Sequence, residues 1–158
     1  MVKRLSTSKV EPLQSITVAL DAMGGDFGPR VTVPAAVQAL SHFPELKVIL
    51  IGDQSLITSQ LSQLGASTSS RLSILHSEKV ISNSEKPSLA LRNSQNSSMR
   101  MAIDLVSESE ADACVSGGNT GALMALSRFI LKLLPGIERP ALVSALPTIS
   151  GKRTWMLD

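Results

Sequence analysis

The feature that most constrains the fold is a short apolar strand that passes through a glycine-rich turn into a helix. Residues 111–124 read Ala-Asp-Ala-Cys-Val-Ser-Gly-Gly-Asn-Thr-Gly-Ala-Leu-Met, with a small-residue strand at 113–115 and a turn at 116–121. Glycine permits positive φ and lets a ligand approach backbone N–H groups closely. The following helix has unpaired N–H groups and a partial positive charge at its start. The segment therefore predicts an anion-binding site between a strand and a helix.

A second segment of the same kind stands near the beginning of the chain. The β-rich residues 16–20 predict a strand that ends in the turn Asp-Ala-Met-Gly-Gly-Asp at 21–26. Thr32 and Pro34 indicate a helix start, and Val33, Val37 and Leu40 recur at helical spacing. Ligands of open α/β sheets bind at the carboxyl ends of parallel strands, so two such turns on one sheet favour a shared site.

The rest of the chain continues the alternation of strands and helices. Further strands are predicted at 46–51, 72–75, 141–146 and 154–157, and further helices from Ser55 and over 88–92, 99–109 and 122–134. Residues 82–87 read as a polar turn. Alternation of this kind predicts a mostly parallel α/β sheet with helices on its faces.

Composition excludes several classes of protein. With 158 residues, 43% of them hydrophobic, one domain with a real core is expected. A net charge of +2 and 3% aromatic residues do not indicate a nucleic-acid-binding surface. The single cysteine fits a reducing compartment, and no apolar run reaches the ~20 residues that a membrane span needs. Residues 1–14 are predicted to be a flexible leader rather than a secretory signal.

Nucleotide-binding motifs are not satisfied by the central turn. Ser116 stands where the dinucleotide fingerprint needs its first glycine. A phosphate-binding loop of the P-loop type ends in Gly-Lys-Ser/Thr, whereas Gly121 is followed by Ala122. The predicted anion is therefore smaller than a nucleotide or bound in another way.

The acidic and thiol candidates each have two interpretations. Asp21 and Asp26 bracket a glycine pair at a strand end, where paired carboxylates orient a substrate, act as a base or hold a metal. Aspartates at such positions more often accept hydrogen bonds from the turn's own backbone. Cys114 is either an acyl-transfer nucleophile or a buried structural residue, and the absence of an adjacent histidine favours the second.

The basic and hydroxyl candidates are equally open on local grounds. Ser97, Ser98 and Arg100 bring hydroxyls and a cation to a predicted helix start, where the alternative is a simple N-cap with a solvated arginine. Arg139, which precedes a predicted strand, is either an anion ligand or a surface charge.

Several motifs occur in one order that is typical of a known family. They are residues 21–26 (DAMGGD) with Pro29, 96–99 (NSSM), 111–116 (ADACVS) with 118–124 (GNTGALM), 136–142 (GIERPAL) and 146–148 (LPT). On these motifs the chain closely resembles the amino-terminal part of the bacterial phosphate acyltransferases of phospholipid synthesis, the PlsX family of acyl-ACP:phosphate acyltransferases. The resemblance covers nearly everything after the leader.

The resemblance implies an activity and a fold. Members of the family move a fatty acyl group from acyl carrier protein (ACP) to inorganic phosphate, without an organic cofactor, and form acyl phosphate. The implied fold is a three-layer α/β sandwich like that of isopropylmalate dehydrogenases and phosphotransacetylases, here truncated. It also implies a cytoplasmic homodimer, peripherally associated with the membrane, where it contacts a membrane acyltransferase. Nucleic acid and metal are not expected.

The same resemblance assigns a substrate-binding role to residues of the two turns and of the helix start. They are Asp21, Gly24, Gly25, Asp26, Ser97, Ser98, Arg100, Ser116, Gly117, Gly118, Asn119, Thr120, Gly121 and Arg139. No residue is assigned as the general acid or base.

Two departures from the family pattern are visible. Gly117 stands where the family usually has alanine, and Asp158 would open a further Asp-x-Gly-Ala-Asn motif that the sequence does not contain. The resemblance therefore implies that residues 15–158 are the amino-terminal part of the acyltransferase domain, with an incomplete site.

Two other functions remain as alternatives. One is a non-catalytic domain that binds an anion or a carrier protein, and the other is a nucleotide-binding domain of a dehydrogenase-like enzyme.

Overall fold

The computed structural model describes residues 15–158, so the predicted leader at 1–14 lies outside the described residues. The strands are β1 (Ile16–Asp21), β2 (Leu46–Gly52), β3 (Leu72–His76), β4 (Ala113–Ser116), β5 (Val143–Pro147) and β6 (Arg153–Leu157). The helices are α1 (Pro29–His42), α2 (Gln54–Gln63), α3 (Pro87–Asn93), α4 (Ser98–Ser107) and α5 (Thr120–Ile130).

The first four strands form one parallel sheet in the order β3-β2-β1-β4. Because the strands are parallel, each connection must carry the chain back to the opposite edge, and the helices do so. The carboxyl ends of all four strands consequently share one edge of the sheet. The last residues of the two neighbours β1 and β4, Asp21 and Ser116, are opposite each other in the register. The predicted parallel α/β sheet is confirmed.

Helices cover both faces of the sheet and give three layers. On one face, α1 and α2 bury a cluster that includes Val33, Leu50 and Ile57. On the other face, α4 packs over Ala19 and Ile51, and α5 packs in turn against α3 and α4 in a further apolar cluster. Alternate residues of a strand point to opposite faces. Asp21 therefore points to the same side as Ala19, toward α4.

The predicted helix over 122–134 ends earlier than the sequence pattern indicates. Helix α5 runs from Thr120 to Ile130, and Lys132 has a φ of 69°. A residue in the left-handed region cannot continue a right-handed helix. The Lys132 ammonium instead donates to the carbonyl of Phe129 at 2.9 Å, which satisfies one of the carbonyls left open at the helix end.

The last two predicted strands do not join the parallel sheet. β5 and β6 form a separate antiparallel pair, and every residue of both strands is exposed. The connection at 148–152 is a tight turn with Gly151 at a φ of 75°. A turn of this length joins antiparallel strands, whereas parallel strands need a crossover of about a dozen or more residues. The short connection thus decides the pairing.

We expect the core of the sheet and the hairpin to respond differently to truncation of a leucine. Leu50 is fully buried under α1 and α2, so Leu50→Ala should lower the free energy of unfolding by about 2–5 kcal/mol because it leaves a cavity. Leu157 is 66% exposed in β6, so Leu157→Ala should change the free energy of unfolding by less than about 0.5 kcal/mol. Urea unfolding followed by circular dichroism measures both, and equal losses would contradict the separation of the hairpin from the core.

Candidate active site

The two glycine turns predicted from the sequence meet at the carboxyl edge of the sheet. The turn after β1 begins at Asp21 and the turn after β4 begins at Ser116, and these two residues are register partners. The site is therefore built by adjacent strand ends.

A chain of hydrogen bonds joins the two turns. The Ser116 hydroxyl donates to Asp21 Oδ2 at 2.7 Å, and the same Ser116 oxygen accepts from the N–H of Gly118 at 3.1 Å. Asp21 is 2% exposed, and its other oxygen accepts from the N–H of Met23 at 3.2 Å. Asp21 thus accepts from the backbone of its own turn, which is one of the two interpretations of its sequence position, and it also accepts from Ser116 of the other turn, a contact that the sequence does not predict.

The glycines allow the turns to approach each other closely. A Cβ on Gly24 would lie 2.8 Å from Asp21 Oδ2 and 2.9 Å from both the N of Gly118 and the Oγ of Ser116. Gly25 has a φ of 86°, which a residue with a side chain rarely adopts. Any side chain at Gly24 would therefore push the turns apart.

The start of α5 presents backbone donors beside these turns. Asn119 is the N-cap, and its Oδ1 accepts from the N–H of Ala122 at 3.0 Å. Among the hydrogen bonds of residues 15–158, none uses the N–H groups of Gly117, Thr120 or Gly121. The helix dipole adds partial positive charge at this end. The arrangement favours a small anion, as the sequence predicts.

The predicted polar turn at 82–87 lies over the start of α5. We call residues 82–87 the strap. The Asn119 side-chain amide donates to the carbonyls of Ser82, Asn83 and Glu85 at 3.1, 3.2 and 2.8 Å. Pro87 packs on Gly121, where a Cβ would come within 2.9 Å of the proline Cγ.

The strap also reaches the first turn. The amide of Asn83 donates to Asp26 Oδ1 at 3.2 Å, so Asp26 interacts with the strap while Asp21 interacts with Ser116. Polar composition alone marked 82–87 as a turn, and no local signal specifies which distant residues such a turn contacts.

The start of α4 lies next to the turns as well. Ser97 is the N-cap, and its hydroxyl accepts from the N–H of Arg100 at 3.3 Å. Met99 reaches Gly118, where a Cβ would lie 3.1 Å from the methionine Cε. The Ser98 hydroxyl is buried and has no hydrogen-bond partner among the described residues. Of the two predicted serines, Ser97 caps α4, whereas the Ser98 hydroxyl is buried without a hydrogen-bond partner among the described residues.

Neither of the two predicted arginines makes a hydrogen bond or ion pair with the glycine turns within residues 15–158. Arg100 Nε donates to both carboxylate oxygens of Asp104, at 2.9 and 3.0 Å, one turn along the same helix. Arg139 is exposed ahead of β5, and no ion pair or hydrogen bond within residues 15–158 links it to the turns. The backbone N–H groups at the start of α5 bring partial positive charge to the turns, and neither predicted arginine adds a hydrogen bond there within residues 15–158.

Cys114 is half-buried in β4 and packs against the apolar clusters beneath α4 and α5. Burial raises the pKa of its thiol, and the nearby Asp21 carboxylate raises that pKa further. A raised pKa disfavours the nucleophilic thiolate, which agrees with a structural role.

Residues 15–158 contain no cluster of three His, Cys, Asp or Glu side chains placed to hold a metal ion. Across the same range, none of the helices has the length and apolar character required to traverse a bilayer.

Fold and site together define a three-layer α/β protein with a predicted anion site at the carboxyl edge of its parallel sheet. A solved structure of this class, the EutD phosphotransacetylase from Staphylococcus aureus, superposes with a TM-score of 0.57 over 89% of this chain and 45% of that one. The two sequences are 16% identical, so the likeness concerns the fold. The predicted phosphotransacetylase-like fold is confirmed.

Sequence comparison identifies the family. Residues 16–158 match the family described as "Fatty acid synthesis protein", and the chain belongs to it. Proteins named phosphate acyltransferase from Vibrio campbellii and Vibrio parahaemolyticus are each 97% identical over 146 residues, and one from Vibrio cholerae serotype O1 is 82% identical. These alignments cover 92% of this chain but 43% of each relative, so the chain spans less than half their length.

The packing of the turns predicts opposite outcomes for two glycine-to-alanine changes. Gly24→Ala places a methyl group against polar atoms of both turns and should lower the free energy of unfolding by about 1–3 kcal/mol. Gly117→Ala is the matched control, because a Cβ there meets its nearest atoms at 3.8–3.9 Å and should be tolerated. Thermal unfolding measures both, and similar melting temperatures would contradict the described contact.

The thiol of Cys114 should react slowly in the folded chain. Because burial raises the pKa of Cys114, less thiolate is present at a given pH in the folded chain. The rate of alkylation by iodoacetamide, plotted against pH, should therefore increase at a higher pH for the folded chain than for the urea-unfolded chain. Ionisation costs the folded state more than the unfolded state. The free energy of unfolding should therefore fall as pH rises through and above the ordinary thiol pKa. Coincident pH profiles for folded and unfolded chain would refute the shift.

Proposed function

We propose that the chain is the amino-terminal part of an acyltransferase that moves a fatty acyl group from acyl carrier protein to inorganic phosphate. Family membership and the names of the relatives support an acyltransferase of fatty acid and phospholipid synthesis. The whole protein would work as a cytoplasmic homodimer that contacts a membrane acyltransferase peripherally.

The observation that carries the proposal is the meeting of two glycine turns at one helix start. The N–H groups of Gly117, Thr120 and Gly121 are free of hydrogen bonds within residues 15–158 and lie at the positive end of α5. Phosphate oxygens accept hydrogen bonds from such groups without any side-chain cation.

The chemistry requires a nucleophile, a stabilised oxyanion and a leaving thiol. A phosphate oxygen attacks the thioester carbonyl carbon and forms a new C–O bond, which places negative charge on the carbonyl oxygen. Backbone N–H groups aimed at that oxygen lower the barrier. The C–S bond then breaks, and the thiolate of the carrier arm leaves and takes up a proton. Acyl phosphate and free carrier protein are the products.

Asp21 and Ser116 act as positioning residues in this proposal. The buried Asp21 carboxylate fixes the Ser116 hydroxyl, and Ser116 Oγ fixes the N–H of Gly118. Together they hold the two turns in a fixed relative position. The remaining groups of a complete site would come from the part of the longer relatives that this chain does not cover.

Binding to the chain itself tests the first half of the proposal. Titration with orthophosphate, followed by ¹⁵N-resolved amide NMR, should shift the amides of Gly117, Thr120 and Gly121. Ser116→Ala should weaken this binding about tenfold, because loss of one hydrogen bond to a buried charge releases the turn. Ser150→Ala, in the exposed hairpin turn, is the control. Shifts that spare the turns would overturn the proposed phosphate site.

The second half needs the polypeptide at the relatives' length. When that protein is incubated with fatty-acyl carrier protein and labelled phosphate, labelled acyl phosphate should form. The Ser116→Ala variant should have a lower kcat/KM in the same assay. Failure to form acyl phosphate while NAD binds tightly would favour the dehydrogenase-like alternative. Binding of the carrier protein without turnover would favour the non-catalytic one.

A further inference from the structure

The Ser116 hydroxyl keeps one unused hydrogen-bonding position between the two glycine turns. A serine hydroxyl has one proton to donate and two lone pairs with which to accept. Ser116 donates its proton to Asp21 Oδ2 at 2.7 Å, and one lone pair accepts from the N–H of Gly118 at 3.1 Å. The second lone pair has no donor among the hydrogen bonds of residues 15–158. Ser116 can therefore accept one more hydrogen bond, but it has no proton left to donate.

The buried Asp21 carboxylate fixes this direction of the Ser116 hydroxyl. Asp21 is 2% exposed, and an ionised carboxylate only accepts hydrogen bonds. Its Oδ1 accepts from the N–H of Met23, and its Oδ2 accepts from Ser116. Rotation of the hydroxyl away from Asp21 would leave a buried charged oxygen without its partner, which is costly. The Ser116 proton is consequently kept for Asp21 and is not free for a ligand.

The unused lone pair belongs to the same turn as the free backbone donors. Ser116 is half-buried, and its Oγ lies within hydrogen-bond distance of the amide of Gly118. Gly117, the next residue, and Thr120 and Gly121, in the same turn, have N–H groups that are free of hydrogen bonds within residues 15–158. A ligand held by these donors would lie beside an oxygen that can only accept.

An anion in this site has to match three donors and one acceptor. Hydrogen phosphate, HPO₄²⁻, has three bare oxygens that accept and one P–OH group that donates. Sulfate has the same tetrahedral shape and the same charge, but all of its oxygens only accept. A sulfate oxygen beside Ser116 Oγ would place lone pair against lone pair, close to the buried charge of Asp21. Hydrogen phosphate instead forms a hydrogen bond at that position.

We propose that Ser116 Oγ, oriented by Asp21, accepts the proton of a hydrogen phosphate ion and so makes the glycine-turn site selective for protonated oxyanions. The inference rests on the proposed function, because it concerns the same anion site, and it adds the basis on which that site distinguishes tetrahedral dianions. Arsenate carries a proton as phosphate does and should be accepted. Sulfate and monofluorophosphate, in which fluorine replaces the P–OH group, should be rejected.

Binding of these four anions to the 158-residue chain tests the selectivity. They are titrated at one ionic strength and at a mildly alkaline pH at which each carries two negative charges. Affinities are taken from the shifts of the Gly117, Thr120 and Gly121 amides in ¹⁵N-resolved NMR. Phosphate and arsenate should bind at least about tenfold more tightly than sulfate and monofluorophosphate, because only the first two supply the proton that Ser116 accepts.

Asp21→Asn should remove the selectivity while keeping the turns joined. The asparagine oxygen can still accept from the N–H of Met23, and its amide can donate to Ser116 Oγ, which frees the Ser116 proton for the anion. The ratio of phosphate affinity to sulfate affinity should therefore fall about tenfold, toward one. Removal of the Asp21 charge by itself would strengthen both dianions equally, and a looser turn would weaken both, so the ratio is the readout.

Ser116→Ala gives a second route that does not depend on the folding of Asp21→Asn. It removes the accepting oxygen, so phosphate should lose more affinity than sulfate. Asp53→Asn is the matched control, because Asp53 also follows a strand and accepts from a serine hydroxyl, that of Ser55, but caps α2. Asparagine caps a helix about as well as aspartate, so this variant should fold and keep the parent ratio. Melting temperatures check the folding of all three variants.

The possible results separate this inference from the proposed function. Equal affinity for phosphate and sulfate, or a ratio unchanged in both Asp21→Asn and Ser116→Ala, would overturn the selectivity and leave the phosphate site in place. An equal fall of the ratio in Asp53→Asn would overturn the assignment to Ser116. Absence of shifts at the turn amides with every anion would overturn the selectivity and the phosphate site together.

Discussion

The hydrogen bond from Ser116 to Asp21 is the contact on which the arrangement of the site depends. It spans two strand ends that are adjacent only because β4 pairs with β1 in a parallel register. A shift of the register by one residue would turn either side chain to the opposite face, toward α1. The pairing of β1 with β4 thus sets the distance between the glycine turns. The buried Asp21 carboxylate holds the Ser116 hydroxyl, and the Ser116 oxygen in turn orients the N–H of Gly118. Residue 24 must be glycine for this hydrogen bond to form, because a Cβ there would collide with Asp21 Oδ2 and Ser116 Oγ.

The sequence was sufficient for those parts of the fold that depend on local patterns. The strands of the parallel sheet, most helix starts and the two glycine turns follow from apolar periodicity and from glycine, and all were predicted close to their observed positions. Lys132 shows the limit of periodicity, because the apolar pattern continues to 134 while the backbone leaves the helix at a positive φ. The pairing of β5 with β6 depends on the short connection between them, whereas the alternating pattern of strands and helices by itself predicts a parallel arrangement.

In the candidate site, too, contacts between residues close in sequence could be predicted, whereas contacts between distant residues could not. Ser97 as an N-cap follows from its place before α4, and the Arg100–Asp104 pair has the i, i+4 spacing that such helix pairs require. The strap over Asn119 could not be predicted, because the partners are more than 30 residues apart and a polar turn has no preferred partner. The resemblance assigns Arg100 and Arg139 to the site; among the described residues Arg100 pairs with Asp104 and Arg139 is exposed, so their substrate-binding role stays a prediction.

Asn119 both caps α5 and holds the strap in place. Its oxygen caps α5, and its nitrogen holds three carbonyl groups of the strap. The helix start and its covering segment therefore share one rigid side chain, and a displacement of either is transmitted to the other. A group that bound the α5 amides strongly enough to rotate Asn119 would loosen residues 82–87 in the same step. Occupancy of the predicted anion site would thereby be linked to the mobility of residues 82–87 through a single amide side chain.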